Sequence, residues 1–568
     1  MPTPEPLTLT AGGALLARLK SVGVDYIFAN SGTDFPPIIE GLAEAAAKDV
    51  PLPQALVMPH ENAAMGMAHG YYLATGRAQA VIAHTNVGLA NCATGAINAA
   101  VENIPVLLFS GRTPVTEAGR FGARTVPIGW GQEMRDQAAL VREAVKWDYE
   151  LRFPEQAGAL VDRAYAIANS TPKGPVYAAL PREVLCEPYA NDDLDLPLTM
   201  QPVHVAPDAS QISRLADAIR KAQFPVIIAQ HGAGGADAFA ALSALAERWA
   251  IPVCHYWALQ IAIPTDHPMY AGVDPSWLLD RADLVIVLDS LAPWSQQAHA
   301  VRPDATVAHI GPDPLKARMP IRNFRADITT ACELADGVLA LCTALEEAEP
   351  GSTVATRRSE IVARNGESRQ TAIANAEKGR DGTMSADYVA LKISQALTGR
   401  DAVLLSERGC PMPAMTLSHH RAWYQEPHAG GLGWSFPAAL GMQLAEPDRL
   451  VVATLGDGSY MFANPVACHQ IAEALDLPVL VIVMNNAEWA AVRHSVLDIY
   501  PQGYASKTNQ MPLTGLSPIP DFVKVAEASR AFARRVPDAD TLDIALAEAL
   551  DHIATNRTLA LLDVTIRN

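Results

Sequence analysis

Short apolar runs rich in valine, isoleucine and leucine recur along this chain, each closed by a turn-forming Gly, Asn or Asp and followed by an alanine-rich stretch of helical period. A strand covered on both faces is apolar throughout, whereas a half-exposed strand alternates, and these runs do not alternate. The pattern predicts an α/β fold of doubly wound parallel sheets with crossover helices. In the first part it predicts a helix over residues 15–21, a strand at Tyr26–Ala29 and a closing strand over 176–180. Residues 191–207, rich in Asp, Pro and Leu without a period, read as a linker. The second part carries strands over 226–229 and Leu284–Leu288 with a Gly-rich turn at 232–235, as in a Rossmann-like sheet, but that turn alone is too common to indicate a nucleotide. Residues 346–383 are charged and lack strand signals, as expected of a connecting segment with helical character. The expected domains are therefore 1–190, 191–345 and 384–568, the last two joined by 346–383.

Composition narrows the class of partner. With 568 residues, 49% hydrophobic and 18% charged, the chain has the makeup of a multidomain globular protein. A net charge of −18 argues against nucleic acid or an anionic membrane as partner. The seven cysteines are scattered without a Cys-x-x-Cys pair, which suits a reducing compartment and suggests neither a disulfide framework nor a zinc site. The opening MPTPEPLTLTAGG lacks the basic-then-apolar layout of a signal peptide, so a cytoplasmic location is expected. Residues 78–101 contain no charged side chain, yet His84, Asn86, Asn91 and Asn98 interrupt them, which reads as buried interior rather than a membrane span.

The most specific chemistry lies at 450–486, which predicts strand, Gly-Asp-Gly turn, helix over 464–475, strand over 479–484 and paired asparagines. Asp457 offers an anionic oxygen, and magnesium prefers such oxygens together with phosphate. Gly456 and Gly458 permit close backbone approach, Ser459 adds a hydroxyl, and the following helix turns amide groups toward a diphosphate. Asp457 and Asn486 fall at the carboxyl ends of two parallel strands, where open α/β sheets bind ligands. Either dipeptide alone would be an ordinary turn. In this order they resemble the signature of thiamine diphosphate enzymes, and the resemblance implies that Mg2+ is held by Asp457, Asn486 and the backbone carbonyl of Glu488. The 29 positions from Asp457 to Asn486 slightly exceed the family pattern, which a longer helix or turn near 462–465 would absorb.

The resemblance extends over nearly the whole chain, to the pyrimidine-binding, central and diphosphate-binding domains of the benzoylformate decarboxylase and acetolactate synthase group. Segment 58–77, MPHENAAMGMAHGYYLATGR, resembles the helix whose glutamate exchanges a proton with the cofactor pyrimidine, implying that role for Glu61. By itself Glu61 would be a first-turn glutamate complementing a helix dipole. Leu432, within Gly-Gly-Leu-Gly, resembles the aliphatic residue that holds the cofactor bent. His84 stands where benzoylformate decarboxylase-like enzymes carry a proton-relay histidine, and a histidine suits protonation of the enamine left by carbon dioxide. Its ordinary alternative is a hydrogen-bonded core histidine. Thr33 in NSGTDFPP resembles the substrate-binding serine, and His299 lies one position from the second decarboxylase histidine. Gln132 resembles the glutamine of acetolactate synthase-type sites. Trp489, Val492 and the Gly/Pro/Ser/Thr-rich segment 500–520, with the composition of a lid, are expected to shape the pocket.

The expected activity is thiamine diphosphate- and magnesium-dependent decarboxylation or cleavage of a 2-keto acid, followed by protonation or by carboligation to an aldehyde or ketone. An acetolactate synthase-type carboligase is the first alternative, and an inactive cofactor-binding subunit the second. In the resembled family Glu61 and Asp457 would come from different subunits, implying a homodimer or homotetramer.

Overall fold

The computed structural model describes residues 9–190 and 194–567, so the first three residues of the linker lie outside it. Among the described residues seventeen strands form three sheets, and every strand pair in them is parallel. The N-terminal sheet comprises β1 (Tyr26–Ala29), β2 (Gln54–Val57), β3 (Gln79–Ala83), β4 (Val106–Arg112), β5 (Asp148–Glu150) and β6 (Val176–Pro181), in the order β2-β1-β3-β4-β6-β5. The central sheet comprises β7 (Pro225–Ala229), β8 (Val253–Cys254), β9 (Leu284–Leu288), β10 (Thr306–Gly311) and β11 (Ile328–Ala331), in the order β11-β10-β9-β7-β8. The C-terminal sheet comprises β12 (Ala402–Glu407), β13 (Trp423–Gln425), β14 (Leu450–Gly456), β15 (Leu480–Asn485), β16 (Phe532–Val536) and β17 (Ala560–Thr565), in the order β13-β12-β14-β15-β17-β16. Counted within each sheet, the first and third share one strand order.

The helices that matter for the site are α1 (Glu61–Thr75), α2 (Thr85–Val101), α3 (Ala236–Trp249), α4 (Thr353–Lys378), α5 (Ser435–Ala445), α6 (Asp457–Phe462), α7 (Pro465–Ala474), α8 (Ala490–Ile499) and α9 (Tyr504–Thr508). Helices α1 and α5 each follow the second strand of their sheet, and they pack against each other at backbone distance. A Cβ on Gly70 would come 1.8 Å from the Ala438 carbonyl oxygen, and one on Gly441 2.0 Å from that of Met67. This crossing fuses the N- and C-terminal domains into a shared core in which Met65, Met67 and Ala68 meet Phe436, Ala439 and Met442.

Two strand registers fix where a ligand can sit. In the N-terminal sheet Ala29 pairs with Ile82 and Ala83 with Ser110, so the loops leaving β1, β3 and β4 share one edge. In the C-terminal sheet Glu407 lies beside Leu455 and Gly456 beside Met484, which brings the exits of β12, β14 and β15 together. The connecting segment carries α4, whose buried Arg357 donates to the carbonyls of Trp249, Ala250 and Gln223, tying it to the central domain. Among the described residues no helix is long and apolar enough to cross a membrane. The uncharged stretch 78–101 is the fully buried β3 followed by α2.

Candidate active site

β14 ends at Gly456 and α6 starts directly at Asp457. The helix expected over 464–475 is present as α7, but the short α6 intervenes and puts its own N-terminus at the Gly-Asp-Gly turn, because Asn464 is left-handed (φ 54°) and Pro465, without an N–H, starts a separate helix. That break falls at 462–465, where a longer helix or turn was expected. Asp457 is 3% exposed; its Oδ1 accepts the Gly458 N–H at 2.7 Å, while Oδ2 is buried without a hydrogen-bond partner. Burial pushes its carboxyl above the usual range, against the pull of the amides of Gly458, Asn486, Ala487 and Glu488. Those amides place the carboxylate against the loop leaving β15.

The two asparagines have different tasks. Asn485 Nδ2 donates to Asp563 at 2.8 Å, anchoring β15 to β17, whereas Asn486 turns in the loop facing Asp457, its Oδ1 accepting the Glu488 N–H at 3.1 Å. An orphaned carboxylate oxygen in a dry site is costly, and a hard cation is the partner that such an oxygen and a neighbouring amide oxygen suit. Among the described residues no three His, Cys, Asp or Glu side chains converge as a metal site, so a cation here would rely on one carboxylate, amide and carbonyl oxygens, and phosphate. The residues present fit magnesium and a diphosphate. Gly458 is needed for another reason as well, since a Cβ there would lie 2.1 Å from the Trp489 ring. Ser459 bonds the buried Glu407.

Glu407 organises the facing turn. Its carboxylate accepts the N–H groups of Gly433, Trp434 and Ser435 at 2.6, 2.8 and 2.7 Å, and Asn98 brackets Gly431 from α2, so half-buried Leu432 is presented from a turn fixed on both sides. The segment 500–520 is partly helical (α9) and pinned to the metal-side loop: Thr514 Oγ1 donates to Glu488 at 2.6 Å, and the Trp489 N–H donates to the Thr514 carbonyl at 2.8 Å. Val492 is exposed on α8.

On the N-terminal sheet, Glu61 opens α1 behind His60, whose Nδ1 accepts the Asn62 N–H. Glu61 is buried, with Asn91 Nδ2 donating to its Oε2 at 2.9 Å and Gly88 leaving room beside Oε1. His84 caps α2; its Nδ1 bonds the buried Asp34 carboxylate, and its Nε2 lies 3.0 Å from the Gln132 amide nitrogen. The Asp34 bond raises the His84 pKa above the ordinary imidazole value, opposed by burial and assisted by the charges of Asp34 and Glu61. Glycines allow this closeness: a Cβ on Gly32 would strike the His84 ring, and one on Gly111 the Asp34 carboxylate. Thr33 is exposed in the same loop, with its carbonyl held by Arg182.

The structure thus gathers Glu61, His84, Gln132 and the Thr33 loop on one side, and Asp457, Asn486, Glu488 and Leu432 on the other. The His60 ring approaches Asn464 Nδ2 at 3.4 Å, linking the two sides within the chain. His299 lies in the central domain, where its Nδ1 accepts the Ser295 N–H, its Nε2 faces Asp274 at 3.7 Å and its ring meets Tyr256 edge-on. Asp34, Asn91 and Glu407 were missed in the sequence. Asp34 had a signal, a carboxylate within the quoted NSGTDFPP loop, while Asn91 and Glu407 have none without the fold.

A fold of three parallel sheets with a carboxylate-and-asparagine cradle at one exit and a buried glutamate at another defines a thiamine diphosphate-binding protein. Residues 9–140 match the thiamine pyrophosphate enzyme N-terminal TPP binding domain, 212–341 the central domain and 409–564 the C-terminal TPP binding domain, and the chain belongs to the thiamine pyrophosphate enzymes. It is similar to the probable 2-ketoarginine decarboxylase of Pseudomonas aeruginosa (27% identity, 96% of this chain and 92% of that one) and to the acetolactate synthase large subunit of Parasynechococcus marenigrum (25%, 99% and 88%). Its fold is shared with the thiamine diphosphate-dependent 4-hydroxybenzoylformate decarboxylase of Rhodococcus jostii RHA1 at a TM-score of 0.77, with 23% identity over 98% of this chain and 99% of that one. The chain is an enzyme, a lyase or a transferase.

Proposed function

We propose that the chain is a thiamine diphosphate- and magnesium-dependent 2-keto acid decarboxylase that returns a proton to the carbon from which carbon dioxide departs. The observation that carries this reading is the Asp34–His84–Gln132 chain beside Glu61. The cofactor, when bound, supplies the electron sink for cleaving the bond beside the keto carbon. Asp457, Asn486 and the backbone carbonyl of Glu488 would hold the cation, with Gly456 and Gly458 leaving room for the phosphates. Glu61, fixed by Asn91, would hold the proton that the pyrimidine ring needs, and Leu432 would pack beneath the cofactor. His84, whose charged form Asp34 favours, would carry the proton at Nε2 once the Gln132 side chain turns its amide oxygen there in place of the nitrogen that now donates to it, and Thr33 would receive the substrate carboxylate.

Acetolactate synthase-type carboligation is the second reading, favoured by the Gln132 amide at the proton-carrying nitrogen, where it would hold His84 back from donating. Exposed apolar side chains at both half-sites, Val87, Ile128 and Trp130 on one and Phe462, Val466 and Val492 on the other, suit burial against a second copy, which supports a homodimer or a dimer of dimers. The test is product analysis with 2-keto acids, Mg2+ and cofactor, with and without an added aldehyde. Carbon dioxide with free aldehyde is expected, lost in Glu61→Gln and strongly reduced in His84→Ala; ligated product alone would overturn the decarboxylase assignment.

A further inference from the structure

A cavity of about 510 Å3 opens between the central and C-terminal domains. One wall is the stretch from Arg408 to Pro413 that leaves β12; the opposite wall includes Trp257 and Val273. This wall adjoins the cofactor cradle. Arg408 bridges to Leu455, the residue before Gly456, and Gly409 lies so close to β14 that a Cβ would stand 2.6 Å from the Thr454 carbonyl carbon. On its other side Glu407 holds the Leu432 turn. The cavity therefore opens beside the exits of β12 and β14, next to the cradle that would hold the cofactor.

Its chemistry is selective. Val273, Cys410, Met412 and Pro413 make it largely apolar, and its size suits a ligand of ten or more heavy atoms. At its rim stand Trp257 (φ 51°) and Arg408 (φ 54°), both non-glycine residues in the left-handed region. They face each other, the guanidinium 5.4 Å from the indole ring, and both are about half exposed. Arg408 is already paired with the buried Glu426 at 2.6 Å. Arg408 is thereby engaged and offers no free cation to a carboxylate at the end of a substrate chain, while Trp257 offers an aromatic face. His299 lies behind this wall, in contact with Tyr256 and Asp274, the neighbours of Trp257 and Val273.

We infer that this cavity is the side-chain pocket and that Trp257, backed by Arg408–Glu426, selects 2-keto acids with a bulky, uncharged aromatic or branched aliphatic chain over pyruvate and over chains with a charged end. The inference rests on the 2-keto acid reading above. The experiment compares kcat/KM of the holoenzyme for pyruvate, 4-methyl-2-oxopentanoate, phenylpyruvate, 2-ketoglutarate and 2-ketoarginine, with cofactor uptake followed by calorimetry. Phenylpyruvate or 4-methyl-2-oxopentanoate should exceed pyruvate by about 10²-fold. Trp257→Ala should narrow that ratio by about tenfold through KM, and Trp257→Phe should restore most of it. A preference for pyruvate or a charged chain, or a ratio indifferent to Trp257→Ala, overturns the pocket assignment alone. Cofactor uptake without turnover of any 2-keto acid overturns the reading it rests on as well.

Discussion

The Asp457 carboxylate keeps one oxygen unpartnered in a dry site and is pushed toward its neutral form by burial. A group so placed contributes little to the empty fold and much to a bound cation. Asp457→Asn should therefore shift the stability of the cofactor-free protein by no more than about 1 kcal/mol while abolishing the rise in Tm that Mg2+ with thiamine diphosphate produces; a retained Mg2+-dependent rise would contradict the assignment of the cation to this oxygen. At His84 the neighbouring Asp34 supports the charged ring. Since its folded pKa is raised, the imidazolium persists below the elevated value and is lost as pH climbs through it. Asp34→Asn should move the alkaline limb of the kcat/KM profile to lower pH, and an unmoved limb would mean that the charge on His84 is not the one being titrated. The sequence presented His84 and Gln132 separately, each as a resemblance to a different branch of the family. That they share one hydrogen bond could not be read there, because their loops leave different strands of one sheet edge.

At the scale of elements, the apolar runs were readable wherever a strand is long enough to be covered on both faces, as at Leu284–Leu288 and Leu450–Gly456. The two- and three-residue strands β8, β5 and β13 carry no period and follow from their neighbours' pairing instead. The Gly-rich turn at 232–235 was readable as a turn but not in purpose: Gly234 (φ 89°) lies where a Cβ would stand 2.4 Å from the Ala335 nitrogen, so glycine there serves close backbone packing. The α1–α5 crossing follows the same rule. Gly70 stands out in the sequence as part of a motif, yet its physical reason is the Ala438 carbonyl 1.8 Å from the position of a Cβ, and a backbone atom in a helix cannot give way. Gly70→Ala should destabilise by about 3 kcal/mol, seen as a lower urea midpoint. Gly366, exposed within α4 with open space around it, supplies the converse, and Gly366→Ala should stabilise by about 1 kcal/mol. Equal effects at the two sites would show that helix propensity, rather than the crossing, decides.

On the scale of the molecule, a buried charge cluster joins all three domains. His231, at the exit of β7, bonds Glu102 of the N-terminal domain through Nε2 and the Asp289 carbonyl through Nδ1, each at 2.7 Å. Glu102 also accepts the backbone N–H of His428 from the C-terminal domain, and Lys316 holds Asp289 at 2.6 Å. These residues are too far apart in the chain for any sequence pattern to have united them. Burial opposes the charge on His231, but Asp289 and Glu102 outweigh it and lift its pKa from 6.5 to about 9, while Lys316 pulls the other way. At Glu102 burial likewise favours the neutral form and is overcome by His231 and His428, which hold its carboxyl below the ordinary 4.5. The histidine contribution is thus complete below 6.5 and lost as pH rises through about 9; that of Glu102 is present above 4.5 and lost on acidification. Melting temperature should therefore stay level between about 4.5 and 6.5, fall as pH rises from there to about 9, and lose nothing further to this group above it. His231→Ala strands Glu102 in the interior and should cost about 3–5 kcal/mol at pH 7, and because the titrating group is gone, its melting temperature should change less than that of the parent between pH 7 and 10. An alkaline slope as steep in His231→Ala as in the parent would place the loss elsewhere than in this three-domain junction.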